Sequence, residues 1–272
     1  MLGISRFRLV LLKLLLGDYV KNVIVASGDN KFVVSLADCG VGRSMMKNGA
    51  YSPDELEILE ELLSNDSNVL VVGAHVGGLA LPLSRRCTAV TCIEANPDTF
   101  ELLQLNRSIN NITNVSLHNF AAGEIEGALE FLVSTDNSGG SKRYPNKKKE
   151  MYFYDAPKVI SVPMKALDDE FPAAFDIVIM DIEGSEYFAL KGMQAIIAKT
   201  RVLVVEFIPH HLRYVADIDV ATFLEPICDH FQQLEIPSLN RTVGRDEFLT
   251  VLTSMFDNDL YDDGIVFSKV SI

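Results

Sequence analysis

An apolar run that ends in a glycine turn is the feature that most constrains the fold of this chain. The run covers residues 69–72, and the turn that follows it reads Gly73-Ala-His-Val-Gly77-Gly78. A second apolar run ends in Glu94. In a strand–helix–strand unit, glycine lets the backbone turn closely around a ligand, and an acid at the tip of the second strand can accept hydrogen bonds from ribose hydroxyls. The pattern therefore predicts a site for a ribose-bearing cofactor.

The spacing of these glycines distinguishes between classes of nucleotide site. It lacks the G-x-G-x-x-G motif of dinucleotide sites and the G-x-x-x-x-G-K-[ST] motif of phosphate-binding loops. We predict S-adenosylmethionine instead, because this cofactor carries no pyrophosphate and the turn needs to pass only an amino acid and a ribose. A turn that requires glycine for packing and binds nothing is the alternative interpretation.

Composition and charge narrow the class of protein further. The 272 residues are 48% hydrophobic, which is enough for a substantial core, and the net charge is −13. A strongly negative chain repels nucleic-acid phosphates, so we predict a small-molecule acceptor and no nucleic-acid partner. The four cysteines lack zinc or redox spacing, which is typical of reduced thiols, and we predict a cytoplasmic protein.

Residues 1–50 are predicted to form an N-terminal extension, and residues 51–272 the main domain. Arg6, Arg8 and Lys13 lie in an apolar stretch that is too short to span a membrane and lacks a convincing cleavage site. This pattern predicts an amphipathic helix that packs on the domain or on a second subunit, rather than on a membrane surface. No stable membrane insertion is expected, and a homo-oligomer is left open. Two apolar runs around residues 28–30 then predict a β-hairpin.

Alternating strands and helices in the rest of the chain predict a parallel sheet with helices on both faces. The predicted strands cover 68–72, 89–94, 115–119, 128–133, 176–181 and 201–207, and the predicted helices cover about 52–63, 78–86, 98–110 and 185–198. We predict that Ser52 and Glu55 form a capping box and that Asn96-Pro97 begins a helix. A glycine-rich, locally basic segment at about 134–160 interrupts the alternation, and it is interpreted either as a mobile substrate lid or as a solvated insertion.

Three predicted strands end in acids. Glu94 ends one, Asp181 ends the most apolar strand and is followed by Glu183, and Glu206 ends another. Because the carboxyl ends of parallel strands lie at one edge of a sheet, these acids are expected at the same rim. Acids crowded together raise one another's pKa, which is typical of a ligand site or a base. The histidine pair that follows Glu206 adds a candidate proton acceptor, His210.

The chain resembles the FkbM family of S-adenosylmethionine-dependent methyltransferases over about residues 38–269. The resemblance rests on the glycine turn, Glu94-Ala-Asn-Pro97, Asn106, Asp181-Ile-Glu-Gly-Ser-Glu186, Leu190-Lys-Gly192, Glu206 and the tail around 236–264. It implies the class I methyltransferase fold, a Rossmann-like α/β architecture with a mostly parallel seven-stranded sheet that contains one antiparallel strand. It also implies methylation, typically of oxygen and often on a sugar or a secondary metabolite.

Three residues depart from the family pattern. Val71 stands where the family usually has Asp, His75 where it has Asn, and Ile179 where many members have Lys. The missing Asp removes a charged contact near the amino-acid part of the cofactor, which His75 is suggested to replace in part. A binding or scaffold protein that has lost catalysis is therefore an alternative function. An NAD-dependent oxidoreductase is a further alternative, which the glycine spacing does not favour.

Together these features predict an S-adenosylmethionine-dependent O-methyltransferase that acts on a hydroxylated small molecule. The predicted cofactor-binding residues are Gly73, Ala74, His75, Gly77, Glu94, Ala95, Ala121, Ala122 and Asp181. The predicted catalytic residues are Asp181, Glu183 and His210. No metal is predicted, because no third acidic ligand stands at a recognisable spacing.

Overall fold

The computed structural model describes Leu11 and residues 14–269. Most of the predicted N-terminal amphipathic helix therefore lies outside the described residues. The strands are β1 (Asn22–Ser27), β2 (Asn30–Ser35), β3 (Asn68–Val72), β4 (Ala89–Ile93), β5 (Val115–His118), β6 (Ala121–Ala122), β7 (Gly127–Val133), β8 (Lys142–Arg143), β9 (Lys158–Lys165), β10 (Ile177–Met180), β11 (Val202–Phe207), β12 (Gln233–Ile236), β13 (Arg241–Gly244) and β14 (Asp262–Ser268).

The α-helices that follow residue 40 are short, and three of them have ten or more residues, the longest having 13. They cover Val41–Asn48, Pro53–Leu62, Ala80–Leu83, Pro97–Ile109, Leu167–Glu170, Glu186–Lys191, Gln194–Ile197, Val220–Leu224 and Phe248–Asp257. Asn96 caps its helix as predicted, since its side chain accepts a hydrogen bond from the Asp98 N–H at 3.1 Å. The predicted capping box is wrong, because Ser52 has a left-handed backbone (φ 38°) and its side chain does not accept a capping hydrogen bond from a backbone N–H of the first turn.

The main sheet has eight strands in the order β13-β12-β14-β11-β10-β3-β4-β5. Strands β3, β4, β5, β10, β11 and β12 run in one direction, whereas β14 and β13 run in the opposite one. The fold is thus mixed α/β. The sequence predicted seven strands with one antiparallel member, and this is wrong, because the sheet has eight strands and two of them are antiparallel to the rest. The added edge strand β13 pairs only with β12, through Thr242 and its neighbours, in a segment whose polar residues carry little strand signal.

Apolar side chains on alternate positions pack against both faces of this sheet. On β3, Val69 and Val71 belong to one core cluster, whereas Leu70 and Val72 belong to the other. Strand β10 lies between β3 and β11 and is buried along its whole length. The predicted helices on both faces are therefore confirmed, and the carboxyl ends of β3 and β10 come side by side at the centre of the sheet.

A separate four-stranded sheet, in the order β6-β9-β7-β8, includes β8 and the first residues of β9 from the insertion at 134–160. The predicted strand at 128–133 forms β7, but it pairs with β9 in this sheet and not with the main one. Sequence patterns miss β9 because it is half-exposed and contains Pro163. The predicted hairpin is confirmed as β1 and β2, and it attaches to the domain through the buried side chains of Phe32 and Val34.

The predicted continuous helix at 185–198 is wrong, since it consists of two helices that break around Gly192. A Cβ atom at Gly192 would lie 2.0 Å from the carbonyl oxygen of Gly123, so a distant backbone contact determines the break. Among the described residues, no helix is both long enough and apolar enough to cross a bilayer.

Candidate functional site

The glycine turn after β3 brings three strand ends together. The N–H groups of Gly73 and Ala74 both donate to the carbonyl oxygen of Ile93 at the tip of β4, at 2.9 Å. Gly73 has φ 91°, and a Cβ atom there would lie 1.8 Å from the carbonyl oxygen of Asp181 at the tip of β10. The requirement for glycine at this position therefore comes from the close approach of two strand ends.

Replacing Gly73 by alanine is expected to destabilise the fold by at least about 2 kcal/mol, because both the backbone angle and the Asp181 carbonyl oppose a side chain. The free energy of unfolding from urea denaturation measures the loss. Gly127→Ala is the matched control, because a Cβ atom there would meet only the flexible Met164 side chain, at 3.9 Å. If both variants unfold at the same urea concentration as the wild type, the ends of β3 and β10 are not close enough to exclude a side chain at residue 73.

A cavity of about 330 Å³ opens at these strand ends. The predicted residues that line it are Gly73, Ala74, His75, Glu94, Ala95, Ala121, Ala122, Asp181 and Glu183. Its apolar side is formed by Ile93, Phe120, Leu129 and Phe131, and its outer wall by the helix Val41–Asn48 together with Asn137–Gly139 of the insertion. The structure thus brings most of the predicted site residues to one cavity, and the insertion at 134–160 forms part of its wall.

Gly77 is a predicted cofactor residue that does not line this cavity. Its backbone has φ 90°, and a Cβ atom there would lie 2.8 Å from Leu81 and 2.9 Å from Leu103. Gly77 therefore allows the turn to pack against the core. A cofactor role for Gly77 stays a prediction that its position does not support.

The Glu94 carboxylate is fixed in place by backbone groups. Its two oxygens accept hydrogen bonds from the N–H groups of His75 and Asn96, each at 2.8 Å. The side chain is only 7% exposed. Burial raises the pKa of Glu94 to about 7, although these N–H donors act in the opposite direction. Each oxygen keeps a further lone pair, so the carboxylate can still accept hydrogen bonds from a ligand in the cavity.

His75 connects the glycine turn to the insertion and to the N-terminal extension. Its Nε2 lies 2.7 Å from the Ser138 hydroxyl, which in turn donates to the Asp38 carboxylate at 2.6 Å. Because Ser138 donates its single proton to Asp38, its oxygen accepts from His75 Nε2–H. Asp38 is held in addition by the N–H groups of Gly40 and Gly42. Burial lowers the pKa of His75, which favours the neutral ring.

Three carboxylates crowd together at the polar end of the cavity. Oxygens of Asp181, Glu183 and Glu206 lie within 4.8 Å of one another, a spacing that can hold a divalent metal. Burial, followed by repulsion from Glu183, raises the pKa of Asp181 well above its ordinary value. The expectation of acids gathered at one rim thus matches their positions, whereas the sequence did not predict that Glu206 lies close enough to be a third candidate metal ligand.

Two cationic or protonatable side chains contact these acids. Lys142 Nζ lies 2.5 Å from Glu183, and His211 lies 3.1 Å from Glu183 through Nε2 and 3.1 Å from Glu206 through Nδ1. Burial alone would raise the pKa of Glu183, but Lys142 and His211 lower it to about 2. We call Lys142, Glu183, Glu206 and His211 the charged cluster. Within it, side chains of this chain already balance much of the negative charge.

Sequence reasoning missed Lys142 and His211. Lys142 belongs to β8 of the insertion, and the basic composition of that segment was its only signal. His211 begins a π-helical turn, His211–Ala216, and the wider turn accompanies a buried position for this side chain. The histidine pair in the sequence pointed to this region but not to the correct member of the pair.

His210 contacts the ring of His211, with ring centroids 4.4 Å apart, but it does not bond to the acids of the charged cluster. Its Nδ1 lies 2.9 Å from the hydroxyl of Tyr152, and it lines a different cavity with Arg213 and Tyr214. Burial, followed by repulsion from the neighbouring His211, lowers the pKa of His210 to about 4. A catalytic role for His210 stays a prediction that its position does not support.

Glu186 has a local structural role in this turn. Its carboxylate accepts hydrogen bonds from the N–H groups of Ile182 at 3.0 Å and Gly184 at 3.2 Å. It therefore fixes the turn that carries Glu183, whose backbone is left-handed at φ 55°. The structure thereby accounts for an acid at this helix start without a ligand.

Comparisons with solved structures give distant similarities. The chain is 19% identical to the methyltransferase FkbM from Methylobacillus flagellatus KT, over 75% of this chain and 44% of that one, with a TM-score of 0.45. It is 13% identical to an rRNA methylase from Streptococcus thermophilus, over 80% of this chain and 95% of that one, with a TM-score of 0.44. For M. jannaschii TYW2 in complex with AdoMet the identity is 11%, the coverage 92% and 87%, and the TM-score 0.47. No curated protein matches the sequence.

A family model gives the decisive match. The model described as the methyltransferase FkbM domain matches residues 72–233, which is more than half of the chain and includes the glycine turn, all three crowded acids and the insertion. S-adenosylmethionine is the cofactor expected for this family. The chain therefore belongs to the FkbM methyltransferase family.

Proposed function

We propose that this chain transfers the methyl group of S-adenosylmethionine to a hydroxyl oxygen of a small acceptor, such as a sugar or a secondary metabolite. The observation that carries the proposal is the single cavity with two chemically different ends. One end has the backbone-held carboxylate of Glu94, and the other has the acid pair Asp181 and Glu183. The net charge of −13 favours an acceptor without a phosphate backbone.

The residues of the cavity fit the proposed cofactor. The Glu94 carboxylate suits ribose hydroxyls, and the apolar wall that includes Phe120 and Ala122 suits an adenine ring. The acidic lining favours a ligand with a positive sulfonium. Val71, where the family usually has Asp, is only 4% exposed and lines the same cavity, so that contact is missing. When bound, S-adenosylmethionine supplies an already activated methyl group.

The acids of the cavity are proposed to have different tasks. A hydroxyl nucleophile has to lose its proton as the new bond forms, and a nearby base assists this step. The raised pKa of Asp181 makes it the stronger base once it is ionised, so we assign proton acceptance to Asp181. The pKa of Glu183 is lowered to about 2, which makes it a weak base. Its proposed task is to orient the acceptor, with Lys142 and His211 holding it in place.

Isothermal titration and a turnover screen together test this function. We expect S-adenosylmethionine and its demethylated product to bind, NADH not to bind, and methyl-labelled cofactor to yield a labelled methyl ether of a hydroxylated compound from a cell extract, identified by mass spectrometry. Absence of cofactor binding by the folded protein contradicts the proposal. Binding without turnover on any hydroxylated acceptor favours instead a scaffold protein that has lost catalysis, for which Val71 is the supporting observation.

The affinity for the cofactor is expected to depend on pH through Glu94. Because the pKa of Glu94 is raised to about 7, its carboxylate is ionised above this pH and becomes protonated as the pH falls through it. The proposed ribose hydrogen bonds need the anion, so the Kd should rise by about tenfold in total between pH 8 and pH 6. Isothermal titration at several pH values measures this change.

Glu94→Gln is the control for this pH dependence, because it keeps the size of the side chain and removes its ionisation. It should bind more weakly than the wild type at pH 8 and show a flat profile. Glu94→Ala should weaken binding by about 1.5–3 kcal/mol, the range for lost charge-assisted hydrogen bonds. An unchanged slope in the Gln variant would assign the pH dependence to another group.

A further inference from the structure

The segment that precedes the hairpin exposes a group of large apolar side chains. Leu11 and Leu14–Leu16 are helical, and Leu14 and Leu15 are 76% and 80% exposed. Leu11 is 43% exposed, and Tyr19 is 97% exposed. Positions 11, 14 and 15 are three and four residues apart, so they lie on one face of a helix. These leucines do not pack on the domain, which is one of the two positions that the sequence predicts for their segment.

The hairpin that follows is attached firmly to the domain. Phe32 and Val34 are each 1% exposed in the core, and the N–H groups of Lys31 and Val33 donate to the side chains of Asn110 and Asn106 at 2.8 and 2.6 Å. The exposed leucines are thus joined to an anchored element of the domain. An exposed apolar group of this kind on a folded chain is typical of an interaction surface.

The charge of this segment is opposite to that of the rest of the chain. Residues 1–21 contain Arg6, Arg8, Lys13 and Lys21 and one acid, Asp18, which gives a net charge of +3. Since the whole chain carries −13, residues 22–272 carry −16. Positive and apolar side chains are therefore concentrated in the same short stretch.

We propose that the exposed leucines Leu11, Leu14 and Leu15 dock this protein on an anionic lipid surface. The leucines enter the boundary between head groups and acyl chains, and the net positive charge of residues 1–21 favours a surface of lipid phosphates. A bilayer surface complements both properties of the segment, the apolar face and the positive charge. Face-to-face packing of this segment in a second copy would bring two positive segments together. The inference does not depend on the proposed reaction.

Sedimentation of the full chain with vesicles tests this surface. We expect binding to vesicles of phosphatidylcholine and phosphatidylglycerol at about 7:3 that is at least about tenfold stronger than to pure phosphatidylcholine, and that weakens at about 0.5 M NaCl. The double variant Leu14→Gln/Leu15→Gln should reduce binding by more than about tenfold. The control is Leu105→Gln/Leu249→Gln, which changes two other exposed leucines, 48% and 49% exposed, and should bind as the wild type.

Three results would overturn the proposal. The first is no sedimentation with anionic vesicles while circular dichroism shows a folded protein. The second is equal binding to neutral and anionic vesicles, or equal loss in both double variants. The third is a dimer in light scattering that Leu14→Gln/Leu15→Gln converts to a monomer, because a second copy would then be the occupant of this surface.

Discussion

Asp181→Asn is expected to lower turnover by about 10²–10⁴-fold while leaving the affinity for S-adenosylmethionine within about threefold. Asparagine keeps the shape of the side chain but cannot accept the proton of a hydroxyl nucleophile. Because the pKa of Asp181 is raised well above its ordinary value, wild-type turnover should increase with pH as the acid ionises. The variant should lose this ascending limb, and steady-state kinetics from pH 5 to 10 measures it.

Asp66→Asn is the matched control for this variant, since Asp66 is exposed and precedes β3 at the opposite edge of the sheet. It should retain the wild-type rate and pH profile. Loss of cofactor binding in Asp181→Asn, with turnover per bound cofactor unchanged, would reassign Asp181 to the cofactor site. If metal-stripped wild type regained activity only with magnesium, the crowded acids would be metal ligands, contrary to the expectation of no metal.

Lys142→Met is expected to lower the free energy of unfolding by about 3 kcal/mol at pH 7. The Lys142 side chain is 6% exposed and its ammonium lies 2.5 Å from Glu183, so its removal leaves a partly buried carboxylate with His211 as its remaining close partner. The Glu183 pKa, lowered from 4.5 to about 2, gives the sign of the pH dependence. The stabilisation is present above about pH 4.5 and is lost as the pH falls towards 2. Urea denaturation across this range measures it, and the acid-sensitive part should be smaller in the variant.

A double variant separates charge balance from packing at this position. Lys142→Met/Glu183→Gln removes both charges and should recover most of the stability that Lys142→Met loses. Lys148→Met, at an exposed lysine of the same insertion, should have the stability of the wild type. If the double variant is no more stable than Lys142→Met, the lysine stem rather than its charge supports the fold.

The sequence predicted those parts of the fold and site that depend on local patterns. Continuous apolar runs gave the central strands, Asn96-Pro97 gave a helix start, and the glycine turn with Glu94 gave one end of the cavity. Each of these signals lies within a few residues of the structure that it specifies. The family match then extends from this turn across the crowded acids.

The parts that the sequence did not predict depend on contacts between distant residues. The break at Gly192 comes from the backbone of Gly123, and the insertion contributes Lys142 to Glu183 from 41 residues away. His211, rather than His210, reaches the acids from the turn that follows β11. Local propensity contains no information on such contacts, and tertiary packing decides them.

Two hydrogen bonds in the wall of the cavity affect the stage of folding at which the ligand site forms. The bond between Asp38 and Ser138 joins residues 100 positions apart, and the bond between His75 and Ser138 joins residues 63 apart. Closing such loops costs entropy before any contact compensates for it, so these connections belong to late stages of folding. A chain with a complete central sheet but an undocked insertion would have no enclosed cavity. Cofactor would then bind only the fully assembled molecule, and at 100 times its Kd it would stabilise the whole chain by about 2.7 kcal/mol.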